Sequence, residues 1–76
     1  MASKAHKRLC ELLVKVRLDA GLTQVELSSR LNRPQSFVSK YERGERRLDV
    51  VEFGEIAVAL GVDPARLLGK FYRETP

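Results

Sequence analysis

Between residues 7 and 20, Leu9, Leu12, Leu13, Val16 and Ala20 recur at three- and four-residue spacing, which predicts an amphipathic helix that Gly21 stops. Thr23 and Glu26 then stand in the Thr-x-x-Glu arrangement of a capping box, so a second helix is expected to begin there and run to about Leu31. Asn32 tolerates the left-handed backbone of a tight turn and Pro34 suits a helix's first turn, so the break is short and a third helix covers roughly residues 34–43, closed by Gly44. Asp49 and Glu52 repeat the capping-box logic ahead of Val50, Val51, Phe53, Ile56, Ala57 and Leu60, the most apolar of the helices, which ends at Gly61. Asp63-Pro64 opens a fifth helix through Leu67 and Leu68 towards Phe71. The expected fold is all-α, a compact bundle of five helices, with no internal repeat and no linker.

Composition narrows this further. Seventy-six residues suit one domain, 1–76 with a core of about 7–72, because a chain this short buries only about 60% of its unfolded surface. No companion ligand-sensing domain, cofactor or small-molecule ligand is expected. A single cysteine, Cys10, rules out an internal disulfide and a four-ligand zinc site, and its place between Leu9 and Leu12 reads as a packed thiol. Charges interrupt every apolar stretch, so neither export nor a membrane span is expected and the cytoplasm is the expected compartment. Catalysis has no support: His6 lies in the basic leader, Cys10 in a core stripe, and no nucleotide-binding glycine motif occurs.

The net charge of +4 favours a polyanionic partner, and its distribution says more than its size. Arg33, Lys40, Arg43, Arg46 and Arg47 crowd residues 32–47 against only Glu42 and Glu45. Residues 48–65 instead hold Asp49, Glu52, Glu55 and Asp63 with no base. One segment looks built for phosphates and the next does not.

Two short helices joined by a tight turn, the second basic and polar on its outer face, are the parts of a helix-turn-helix. Leu22-Thr23-Gln24-x-Glu26-Leu27 before the turn and Ser39-Lys40-Tyr41-Glu42-Arg43-Gly44 after it resemble the lambda Cro and repressor-type helix-turn-helix family, over roughly residues 9–68. The resemblance implies a lambda repressor-like fold, double-stranded DNA as partner, and transcriptional regulation from the bacterial or phage cytoplasm. A recognition helix entering the major groove needs short polar side chains near its start, and Gln35, Ser36, Ser39 and Lys40 occupy those positions. Glutamine pairs with adenine and lysine with guanine, which makes Gln35 and Lys40 the first base readers to test. Val38 and Tyr41 face the other way, towards the first two helices. Gln24 opens the second helix, where unpaired amides attract a phosphate, and the resemblance assigns it a backbone contact. Arg43, Arg46 and Arg47 follow the recognition helix closely enough to grip phosphate. The resemblance also implies a buried salt bridge between Arg17 and Glu42.

Two positions depart from the family pattern: Arg33 stands where an apolar residue usually plugs the turn, and Asn32 replaces a glycine. Arg33 is expected to turn outward towards phosphate. Phe37 is expected on the outer face, where a thymine methyl, a partner subunit or plain solvent all fit it. Lys4, Lys7 and Arg8, with His6, read as a loose basic arm or a solvated terminus. A homodimer on a roughly palindromic operator is expected, because one recognition helix reads too few base pairs alone. Val62, Leu67, Leu68, Phe71 and Tyr72 are its candidate interface, the alternative being that they cover the base of the bundle. An antitoxin that holds a toxin protein while repressing its own promoter is the second functional class; a pure protein-interaction module is disfavoured by the basic clustering.

Overall fold

A computed structural model of the chain describes residues 3–75, and they fold into five helices with no strand among them. Helix α1 spans Lys4–Asp19, α2 Gln24–Leu31, α3 Gln35–Glu42, α4 Val50–Ala59 and α5 Pro64–Glu74. Both expected capping boxes are closed. The Glu26 amide donates to the Thr23 hydroxyl at 3.0 Å and the Thr23 amide to the Glu26 carboxylate at 2.9 Å. Asp49 and Glu52 exchange the same two bonds at 2.7 and 3.0 Å. Asn32 takes the left-handed backbone that the turn demands, at φ 56° and ψ 43°, a conformation its short polar side chain tolerates. Leu13 of α1, Leu27 of α2, Val38 and Tyr41 of α3 and Ile56 of α4 form the fully buried centre, and Leu67 of α5 closes it from below.

Helix boundaries differ from expectation in three places. The first helix begins at Lys4 because the Ser3 hydroxyl accepts the His6 amide at 3.1 Å. Lys4, His6, Lys7 and Arg8 therefore stand on a helix and not on a loose arm, and Arg8 donates to the Glu74 carbonyl at 3.1 Å, joining the first helix to the fifth. Pro34 is the N-cap of α3, extended at ψ 153°, and not its first helical residue. The fifth helix runs on to Glu74.

Phe37 requires a plain correction. It is not on the outer face: only 7% of it is exposed, and its ring meets Tyr41 edge-on at 5.5 Å. The candidate dimer residues of α5 also divide. Leu67 and Phe71 are buried in the monomer, Val62 and Leu68 are half-buried against the core, and Tyr72 alone is exposed. The alternative reading, that these side chains cover the base of the bundle, is the one that holds for Leu67 and Phe71; a domain this small needs such side chains for its own core.

Candidate nucleic-acid interface

Helix α3 turns Phe37, Val38 and Tyr41 inward, and this fixes what its other side presents. Gln35, Ser36 and Lys40 are exposed and Ser39 is half-buried, its hydroxyl 3.4 Å from the Ser36 carbonyl. These four positions share one strip of the helix. Pro34 offers no side-chain cap, so the amides in the first turn of α3 take no side-chain acceptor, and that of Phe37 donates to the Pro34 carbonyl at 3.0 Å.

One carboxylate ties α3 to the two preceding helices. Glu42 accepts from Arg17 Nε at 2.7 Å and Nη2 at 3.1 Å, and its Oε1 also accepts from the Gln24 amide nitrogen at 2.8 Å. A third bond runs from Arg17 Nη1 to the Leu22 carbonyl at 2.8 Å, and hydrogen bonding to Glu42 holds the guanidinium firmly protonated. Because Glu42 takes the Gln24 nitrogen, the Gln24 oxygen is left facing Gln35, whose amide nitrogen lies 3.5 Å away. The two glutamines are thus positioned in series from a buried anchor, with Gln24 at the first turn of α2. Tyr41, next to Glu42 in the chain, keeps a buried hydroxyl without a hydrogen-bond partner among the described residues, and its burial raises its pKa well above the usual phenol range.

The basic side chains around α3 are less free than their sequence suggests. Arg33 and Arg46 stack on Phe37, their guanidinium carbons 4.4 and 4.8 Å from the ring centroid. Both meet the acidic start of α4. Arg46 Nη2 donates to Glu52 at 2.7 Å and Nη1 at 3.0 Å, while Arg33 lies 3.8 Å from Glu52 and 3.6 Å from Glu55. Arg43 pairs with Glu45 at 2.7 Å on the surface. Lys40 and Arg47 are exposed and enter no ion pair among the described residues. The basic segment and the acidic segment that follows it are therefore partly the two halves of one ion cluster. This also accounts for both unusual residues at once: Phe37 fills the inner space beside the turn, and Arg33 covers it with a cation on the ring face.

The Arg46 guanidinium, followed by the Asp49 amide, holds the Glu52 carboxyl below its ordinary pKa of 4.5. A lowered folded-state pKa means that the contribution to stability is complete above the unfolded value and fades as pH falls through the folded one. Thermal unfolding followed from neutral pH into acid should show a loss below about pH 4.5 that is shallower in Glu52→Gln, which keeps the capping bond. Parallel curves for the two proteins would show that the cluster adds nothing to folding.

No helix among the described residues is long and apolar enough to cross a membrane. A family model described as helix-turn-helix matches residues 13–67. An HTH-type transcriptional regulator from Sinorhizobium fredii is 39% identical over 54 residues, 71% of this chain and 70% of the relative. Among solved structures, an XRE-family like protein from Pseudomonas syringae pv. tomato shares 51% identity with a TM-score of 0.88, over 95% of this chain and 88% of its own. The restriction-modification controller protein C.Esp1396I, solved as a tetramer in complex with its natural 35 base-pair operator, shares 25% identity with a TM-score of 0.86 over 96% of each chain.

Proposed function

The chain belongs to the Cro/repressor-type helix-turn-helix family of DNA-binding transcriptional regulators, and from that premise we propose that it reads a roughly palindromic operator as a homodimer, with α3 of each copy in the major groove. Proteins of this family are regulators and not enzymes. The observation that carries the proposal is the strip of Gln35, Ser36 and Lys40, exposed on a helix whose opposite face is locked into the core. Bases are read by such a strip, and phosphates by the cations and amides around it.

In this reading Gln35 addresses adenine and Lys40 guanine, with Ser36 and Ser39 beside them. Gln24 meets a backbone phosphate at the start of α2 while its oxygen orients Gln35. Arg47 grips phosphate directly. Arg33, Arg43 and Arg46 reach phosphate only by exchanging a carboxylate of their own chain for it, so their contribution is smaller than their charge implies. The likeness to a controller protein bound to its operator favours a regulator that works through DNA alone over an antitoxin that also holds a toxin protein.

Substituting Gln35 and Arg47 separately tests the assignment. Gln35→Ala should lose about 1–3 kcal/mol on the cognate site alone, whereas Arg47→Ala should weaken cognate and random duplexes alike. Equal losses on both duplexes for Gln35→Ala would remove it from the base readers.

A further inference from the structure

Helix α4 carries more apolar surface outward than a monomer explains. Val50, Val51 and Val58 are 75%, 66% and 68% exposed, and with Leu31 and Pro64 they line a groove of about 530 Å³. Large aliphatics grouped on one helix face form a continuous patch, and such patches mark contacts. Gly54 lies at the middle of it. Its backbone is ordinary helix, unlike the glycines with positive φ at the helix ends, and a Cβ built there meets nothing within 4 Å. Neither conformation nor internal packing calls for glycine, although glycine inside a helix costs about 0.5–1 kcal/mol relative to alanine. A missing side chain does, however, let another backbone come close.

The register and charge around Gly54 are self-complementary. Val50 and Val58 are each four residues away, so two α4 helices crossing antiparallel at Gly54 would set Val50 of one against Val58 of the other. Arg30 sits at the C-terminal end of the same face, donating to the Ala59 carbonyl at 3.0 Å, and the exposed Asp49 caps the N-terminal end. A two-fold axis through Gly54 brings the positive end of one patch to the negative end of the other, as an isologous interface requires. Glu55, beside Gly54, lies 3.6 Å from Arg33 at the entry to α3, so this edge borders the recognition helix.

We infer that a second copy of this chain docks on the outward face of α4, the two helices crossing at Gly54. The inference rests on the homodimer reading and gives it a surface. Sedimentation equilibrium of the full chain at micromolar concentration tests it. Gly54→Leu should raise the dimer dissociation constant about tenfold or more through overpacking while leaving the helical circular dichroism intact, since the side chain enters open space within the monomer. Val58→Asp, at an exposed site that cannot disturb the core, should do the same, and Tyr72→Asp on α5 should leave the dimer unchanged. Folded Gly54→Leu and Val58→Asp proteins that dimerise like the parent would overturn this interface and leave the homodimer standing, the more so if Tyr72→Asp breaks it. A parent chain that stays monomeric both in solution and on operator DNA would overturn the homodimer and this surface with it.

Discussion

Glu42→Ala is expected to lose about 3–5 kcal/mol of folding stability, the cost of leaving a buried charge without its partner. The Arg17 and Glu42 side chains are only 11% and 5% exposed, so water replaces the missing carboxylate only in part. Arg17 would keep one bond, to the Leu22 carbonyl, and Gln24 would lose the acceptor that orients it. A domain of this length has about 4–11 kcal/mol of stability in all, so the variant should be marginal or unfolded. Lys15 and Asp19 supply the internal comparison: their 3.1 Å pair is 67% exposed on both sides, and Asp19→Ala should cost no more than about 1 kcal/mol. Denaturant titration of the two variants measures the contrast. Equal losses would mean that Arg17 is solvated once Glu42 is gone and that the three-helix anchor is a surface contact.

What the sequence made legible was local. Capping boxes at Thr23 and Asp49, the left-handed Asn32 and the Asp63-Pro64 start each depend on residues within three positions, and all five helices follow from them with the apolar spacing. Side-chain direction was legible only where a stripe was narrow. Phe37 lies four residues before Tyr41, the same-face spacing, but its neighbour Val38 also fits the inner stripe, and only packing shows that α3 turns all three inward. Helix α4 is apolar on more than one side, so periodicity could not separate its core residues Phe53, Ile56 and Ala57 from its exposed valines. The charge pattern misled for a different reason. A run of arginines followed by a run of acids reads as a phosphate surface beside one that is not, yet Arg33 and Arg46 fold back across Phe37 onto Glu52 and Glu55. Nothing in linear spacing reports that arginines of two loops close onto the same end of α4.

That pairing sets the expected salt dependence of DNA binding. Each neutralised phosphate releases condensed counterions, so log affinity falls linearly with log salt at a slope of about 0.9 per phosphate contacted. With Arg47 unpaired beside the backbone, Lys40 unpaired and carrying its charge into the groove, and the dimer doubling both, about four cations per operator are expected to displace counterions, while the uncharged Gln24 adds a contact but no slope. Affinity should then fall about a hundredfold between 50 and 200 mM salt. Arg47→Ala should reduce the slope by about one per copy. Glu52→Gln should act in the opposite sense, because it keeps the α4 cap but withdraws the carboxylate that holds Arg46 and lies near Arg33. It is expected to tighten binding to random duplex at low salt and to steepen the slope. Titrating the parent and both variants on one operator and one random duplex separates the terms. A slope near zero in the parent would remove the phosphate contacts altogether. A parent slope as expected with no change in Glu52→Gln would show that Arg33 and Arg46 stay with Phe37 when DNA is bound and serve the fold alone.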